Sequence, residues 1–276
     1  MNIGKFKLTP LEFGHFRLDG GAMFGVIPRV LWQRFHPPDE NNQIDMVMRG
    51  LLVEVDDRKI LVDTGFGTGQ TEKFRKIYAF TGNDDHMDRV LASADLKRDQ
   101  ITDVIITHLH FDHTGGATIN KNDHPEPTFP NARYYIQKRQ LDHARSGLAR
   151  DRASYLPVDF EPLIDSGVAE IVDGHWGLMD GFDCLVVNGH TPAMQLPRII
   201  DGNDTLLYAA DLIPLASQFP LPWIMAYDLY PVTTLQEKIV ILTQAAEKEW
   251  TFFFEHDPLY TFGKVIQTDK GFTLAD

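Results

Sequence analysis

An apolar run, "DVIITH" (residues 103–108), leads straight into "LHFDHTGG" (residues 109–116), so three histidines and an aspartate fall within six consecutive positions. A strand projects alternate side chains to one side, which lets His108 and His110 converge on a single cation. Where the chain leaves the strand and turns, Asp112 and His113 can face a second point a few ångströms away. Gly115 and Gly116 then give the backbone freedom to bend sharply. Imidazoles packed this densely without a metal would repel one another whenever they protonate. Yet four groups are too few for a pair of ions, because catalytic zinc-type sites use about three protein ligands per ion and leave a position for water. The fold must bring further donors to this turn from elsewhere in the chain.

Three distant residues meet that requirement, each at the end of a strand-like run. His190 ends "CLVVNGH", Asp211 ends "LLYAAD" and His256 ends "TFFFEH". Open sheets place their sites beyond strand ends, so the three are expected to gather with the turn. Further strands are expected over residues 45–55, 59–65, 132–137, 169–173 and 198–211, with polar hairpin turns at 56–59 and 201–204. A helix is expected over residues 233–249, with Thr234 as N-cap and Glu237 completing a capping box. Its Leu235, Ile239, Leu242 and Ala246 have helical spacing and predict one core-facing stripe. Residues 137–151 read as a more polar surface helix. This mixture predicts a layered α/β fold forming a single domain over residues 1–276. Residues 20–43, with Trp32 and a Pro-Pro pair, are left as a lid, a subunit (dimer) arm or a long connection.

Bulk properties narrow the function. The chain has 276 residues and a net charge of −13, with Asp and Glu outnumbering Lys and Arg by 39 to 26. That balance opposes nucleic-acid binding, which relies on clustered basic residues. No apolar run approaches a membrane span, and no basic-then-apolar leader opens the sequence. The single cysteine, Cys184, rules out an internal disulfide and a multi-thiolate metal site. A cytoplasmic protein is the expectation.

His108, His110, Asp112 and His113, followed in order by His190, Asp211 and His256, resemble the ligand series of the metallo-β-lactamase superfamily. The resemblance runs from about residue 45 to residue 257 and includes "LVDTG" (residues 61–65). It implies a four-layer αβ/βα sandwich, two facing mixed sheets with helices on both outer faces and metals at one edge. It also implies that His108, His110 and His190 hold one metal, that Asp112, His113 and His256 hold the second, and that Asp211 bridges them. Asp63 would lie beneath the site and accept the free ring N–H of a ligating histidine.

Two divalent ions sharing a water make hydroxide available near neutral pH and polarise a carbonyl or phosphoryl oxygen. The donor set holds only oxygen and nitrogen, so zinc is the default, with iron, manganese and cobalt compatible. Asp112 and Asp211 are the expected catalytic groups, Asp112 passing a proton to the leaving oxygen. Within the superfamily the sequence most resembles the N-acyl-homoserine lactonase (quorum-quenching lactonase) branch, which implies hydrolysis of a small-molecule ester or lactone. Methyl parathion hydrolase-like enzymes share much of the pattern, which keeps an organophosphate substrate open; a di-iron redox protein is the more distant alternative. Two departures stand out. Pro214 occupies the position where some lactonases carry a tyrosine, and "GHTPGH" is here "GHTPAMQ", with Ala193 and Gln195. Phe111, Tyr227 and Tyr230 are the candidates for the substrate pocket.

Overall fold

The computed structural model describes residues 1–67, 70–80, 86–121 and 124–275. Two seven-stranded sheets form its centre. The first runs, in spatial order, β1 (Asn2–Ile3), β2 (Phe6–Asp19), β3 (Gln43–Val55), β4 (Arg58–Val62), β5 (Asp103–Ile105), β8 (Arg133–Gln137) and β9 (Ala169–Val172). The second runs β10 (Trp176–Met179), β11 (Phe182–Val187), β12 (Met194–Asp201), β13 (Asp204–Tyr208), β14 (Thr251–Phe253), β15 (Phe262–Thr268) and β16 (Gly271–Leu274). A small hairpin pairs β6 (Thr118–Lys121) with β7 (His124–Pro127). The helices are α1 (Gly20–Phe24), α2 (Arg29–Trp32), α3 (Glu72–Ile77), α4 (His86–Ala92), α5 (Phe111–Thr114), α6 (Lys138–Ser146), α7 (Pro157–Asp165) and α8 (Pro231–Glu247).

Side-chain alternation assigns each face of the first sheet to a different core. Leu51 and Val53 of β3, and Ile60 and Val62 of β4, join the core between the sheets, together with Leu206 and Tyr208. Their neighbours Leu52 and Leu61 point the other way, into a core shared with Leu91 of α4, Leu141 of α6 and Phe160 of α7. A period of two on a sheet covered on both faces therefore appears as an unbroken apolar run. The second sheet is covered by α8, whose Ile241, Leu242 and Ala245 are buried against it. The result is the expected αβ/βα sandwich.

Several local expectations change. The fourteen-residue β2 lies where no strand is expected, because Pro10 and Gly14 interrupt its pattern; the antiparallel pairing with β3 absorbs Gly14 in a register shift. Residues 20–43 fold as α1, α2 and connecting turns. There Phe24 stacks on Trp32 with ring centroids 5.1 Å apart, and Trp32 is buried. In α8 the buried stripe is Thr234, Lys238, Ile241, Leu242 and Ala245, while Ile239 is 42% exposed. The helix thus presents a face about one residue away from the one its apolar spacing predicts. Nor does the capping box form: α8 starts at Pro231, and Thr234 and Glu237 have partners outside the helix.

Strand direction sets where the chemistry gathers. β4, β5 and β8 run parallel, and so do β13 and β14, while β11 and β13 both pair antiparallel with β12. Consequently β11, β13 and β14 end at one edge. Gln195 fastens the two sheets close to that edge. Its amide nitrogen donates to Ile106 O at 2.7 Å and Tyr135 O at 3.0 Å, and its oxygen accepts from Trp176 Nε1 at 2.8 Å. Replacing it by leucine removes all three bonds, including both links to the first sheet. Gln195→Leu is expected to cost about 2–4 kcal/mol in urea unfolding of metal-loaded protein, and a change below about 0.5 kcal/mol would show that the link is idle.

Candidate metal centre

Each of four donors stands three residues past its strand: His108 after β5, His190 after β11, Asp211 after β13 and His256 after β14. The remaining donors come directly after His108. His110 is the N-cap of α5, whose single turn carries Asp112 and His113. This turn is clamped onto the segment after β4: Thr64 N and Oγ1 both donate to His113 O, and Gly116 N donates to Gly65 O. The glycines serve this close approach rather than an unusual bend. Gly115 has an ordinary helical φ of −58°, but a Cβ there would stand 2.3 Å from Gly67 N. At Gly116 a Cβ would stand 2.2 Å from Thr64 O.

All seven residues come together, and all are buried. His108, His110, His190 and Asp211 form one group of donors; Asp112, His113 and His256 form another. His110 Nδ1 lies 3.0 Å from His108 Nε2 and 3.1 Å from His190 Nε2. His113 Nε2 lies 3.2 Å from His256 Nε2. Asp211 spans the two groups, Oδ2 lying 3.2 Å from His190 and 3.6 Å from His113, and Oδ1 3.4 Å from His256. The three ring nitrogens His108 Nε2, His110 Nδ1 and His190 Nε2 cannot all be satisfied by shared protons, and among the described residues Asp211 Oδ1 has no ion-pair contact shorter than the 3.4 Å to His256 Nε2. Buried lone pairs aimed at common points are what a cation satisfies, so the residues fit bound metal. The donors are nitrogen and oxygen only.

Supporting contacts fix the outward ring nitrogens. His190 Nδ1 pairs with Asp228 Oδ1 at 2.9 Å, and Asp228 accepts from Thr234 Oγ1 at 2.7 Å. His256 Nδ1 donates to Val47 O in β3 at 3.0 Å. His108 Nδ1 lies 3.1 Å from Thr107 Oγ1, which itself donates to Asp63 Oδ2 at 2.7 Å. His113 Nδ1 meets two carboxylates, Asp63 Oδ2 at 3.1 Å and Glu255 Oε2 at 3.0 Å. These contacts hold each ring in the tautomer that aims its other nitrogen at the centre. The backbone is strained here as well, with positive φ at the non-glycine residues Asp63, Ala193 and Ala210. Sequence reasoning overlooked Thr107, Asp228 and Glu255. Glu255 could have been suspected from its place beside His256, whereas nothing local marks Asp228.

Charge interactions divide the histidines. Burial and neighbouring imidazoles push His108 and His110 well below the ordinary histidine value. Burial also opposes charge on His113, but Glu255, Asp112 and Asp211 outweigh it and hold His113 well above that value. At His256 burial is again opposed, by hydrogen bonding to and the charge of Asp211, and the value rises to about 9. Asp211 stays far below the carboxylate range because His113 and His190 overcome its burial.

A cavity of about 330 Å³ opens above the donors. His110, Asp112, His190, Asp211 and His256 contribute to its lining, and Met23, Met46, Met225 and Leu18 supply apolar wall. Phe111 lines it while stacking on Phe66 with centroids 5.1 Å apart, so it is wall and core at once. Tyr227 lines it too; Tyr230, at the N-terminus of α8, does not.

The sequence pattern of the metallo-beta-lactamase superfamily matches residues 51–256, from β3 to the last of the clustered histidines. The chain belongs to this superfamily. It is accordingly a metal-dependent hydrolase, with the fold of that family. Among curated relatives, it is 25% identical over 240 residues to a probable metallo-hydrolase of Mycobacterium tuberculosis, covering 78% of this chain and 76% of that protein. It is 24% identical over 240 residues to an N-acyl homoserine lactonase of Bacillus cereus, covering 83% and 86%. A probable metal-dependent hydrolase from Staphylococcus aureus superposes with a TM-score of 0.89 at 26% identity, covering 100% of this chain and 99% of that one. AidC, a dizinc quorum-quenching lactonase solved with the product N-hexanoyl-L-homoserine, superposes at 0.80 with 24% identity, covering 100% and 95%. Among the described residues, no helix is long and apolar enough to cross a membrane.

The direction of the His256 shift has a measurable consequence. In metal-free protein this raised value adds stability that is fully present below the unfolded histidine value, about 6.5, and is lost as pH rises through about 9. Chelator-treated protein should lose resistance to urea across that window. Metal-loaded protein, whose ligand imidazoles are already neutral, should show no such loss. The same decline in both forms would mean that the metal does not engage His256.

Proposed function

We propose that the chain is a two-metal hydrolase of esters or lactones, with N-acyl-homoserine lactones as its leading substrates. The observation that carries this reading is the joining of two donor groups by one carboxylate, Asp211, at the floor of a methionine-walled cavity. His108, His110 and His190 would hold one ion, Asp112, His113 and His256 the other, and Asp211 both. Bound divalent ions, zinc by default for this donor set, would lower the pKa of a water and polarise the carbonyl under attack. Everything else falls to the chain's own residues.

Met23, Met46 and Met225 offer a flexible apolar wall suited to an acyl arm. Asp112 borders the cavity and can pass a proton to the leaving oxygen. Tyr227 lines the cavity with a hydroxyl that is a neutral donor near neutral pH, available to a carbonyl or amide. Asp63, Thr107 and Asp228 hold the ligand rings in register. The Bacillus cereus lactonase, alike over most of both chains, supports the carbonyl substrate over the phosphoryl one.

The test is a substrate panel on protein whose metal content has been quantified. Acyl-homoserine lactones and aryl esters are expected to exceed paraoxon in kcat/KM, and His110→Ala to lower lactone turnover by about a hundredfold or more. Opening of no lactone or ester by metal-loaded protein would refute the proposal. Faster turnover of paraoxon than of any carbonyl substrate would transfer the assignment to phosphotriesters.

A further inference from the structure

The most buried charge outside the metal centre is a lysine. Lys238, in the second turn of α8, has 0% of its surface exposed. Its ammonium donates to Gln218 O at 2.6 Å, Pro220 O at 3.0 Å and Trp223 O at 3.0 Å, with Leu221 O at 3.5 Å. No carboxylate forms an ion pair with it among the described residues. Four carbonyls around three N–H donors make a cage like that of a carbonyl-bound monovalent cation. Burial pushes the lysine down to about 7, against the opposing pull of the Asp228 charge.

The caged segment forms only short turns of its own, Trp223 N donating to Pro220 O at 3.0 Å and Ile224 N to Pro222 O at 3.1 Å. Pro220 and Pro222 have no N–H to donate, so the "QFPLPW" stretch lacks the donors of a regular element. Residues 224–228, next along the chain, form one side of the cavity. Met225 and Tyr227 line the wall, Ala226 N donates to Ala22 O in α1, and Ala226 O accepts from Arg150 at 2.5 Å. The same stretch continues to Asp228, whose carboxylate meets His190 and Thr234. Two neighbours of Lys238 on α8 also serve the site from within. Glu237 accepts from the backbone N–H groups of Asn188 and Gly189, just before His190, and Thr234 braces Asp228.

We propose that Lys238 is a positioning residue for substrate: its ammonium gathers residues 218–223 into the loop that sets the Met225 and Tyr227 wall of the cavity. The lysine touches neither substrate nor metal. Its role is to supply, from the core, the hydrogen-bond donors that a proline-broken loop lacks. The link to substrate rests on the cavity being the substrate site, whereas the link to the loop does not.

Two variants test it. Lys238→Met keeps the stem and removes the charge; Lys238→Ala leaves a channel that n-propylammonium can enter. In metal-loaded Lys238→Met, amide exchange should quicken in residues 218–230 while β3 and β13 keep wild-type protection and metal content is unchanged. For whichever ester or lactone the wild type turns over, KM should rise about tenfold with kcat within about threefold, the signature of lost ground-state positioning. Millimolar n-propylammonium, but not n-propanol, should restore protection and KM in Lys238→Ala. Unchanged exchange in 218–230, equal loss across the core strands, or rescue by the neutral alcohol would each overturn the proposal. So would variants that fold under neither condition, because Lys238 would then hold the whole fold rather than one wall. If exchange responds and is rescued but no carbonyl substrate is turned over, the loop role stands, and it is the hydrolase reading of the cavity that fails.

Discussion

The carboxylate of Asp211 lies among the imidazoles of His190, His113, His108 and His256, buried at the floor of the cavity. A buried cluster of this kind is unfavourable unless every lone pair has a partner, because the interior screens charge poorly and supplies no stray hydrogen bonds. Much of the surrounding architecture answers that demand. Strands β11, β13 and β14 must end together so that His190, Asp211 and His256 arrive at one place. The two sheets must also face each other closely enough for β5 to deliver His108 to the same spot. His256 shows the dependence in a single residue: its Nδ1 donates to Val47 O while its own carbonyl accepts from Val47 N. One residue of the donor cluster therefore ties the second sheet to the first.

A second layer of polar groups is needed because an imidazole is useful as a ligand only in one tautomer. Each outward ring nitrogen except that of His110 has a fixed partner, and those partners are themselves held. The chain from His108 through Thr107 to Asp63 is the clearest case, since Asp63 also accepts from Thr107 N at 2.7 Å. Asp63 adopts this position at positive φ, and the turn is locked by Thr64 and the two closely approaching glycines. Backbone strain of order 1–3 kcal/mol persists at such a residue only where its surroundings over-determine it. Here they do, through Thr107 on one side and the clamped turn on the other.

The seven clustered donors were legible in the sequence for a physical reason. Polar residues just past strand ends interrupt apolar runs, and "LLYAAD" and "TFFFEH" stand out because nothing in a core explains an acid or a histidine there. Layering was legible too, from strand runs alternating with helical ones. Polar groups that act inward were not. Apolar spacing alone gives Lys238 no place in a buried stripe, and it turns the expected buried face of α8 towards Ile239. The apparent capping box, Thr234 and Glu237, consists of the right residues used for another purpose, on Asp228 and on the backbone before His190. A motif read locally cannot reveal that its hydrogen bonds are needed elsewhere. The long β2 escaped for the opposite reason: Pro10 and Gly14 weaken the local signal, and only pairing with β3 makes it a strand.

These inward-facing groups show how the two halves of the site are stabilised differently. The donor cluster is anchored on strand ends, where neighbouring ladders leave little freedom. The cavity wall opposite is built from loops and short helices, and α1, the 218–230 segment and the turn carrying Arg150 meet there through a few hydrogen bonds to backbone carbonyls. Such a wall can vary in sequence without disturbing the donors, provided something within the core holds its base. In this chain the base is a helix, α8, whose buried face is part apolar and part polar. Ile241, Leu242 and Ala245 pack against the sheet, while Thr234 and Lys238 reach out of the core to the segment that borders the cavity. Its depth in the core lets one helix serve both halves: the packing that fixes it against the sheets also fixes its polar groups where His190 and the wall need them.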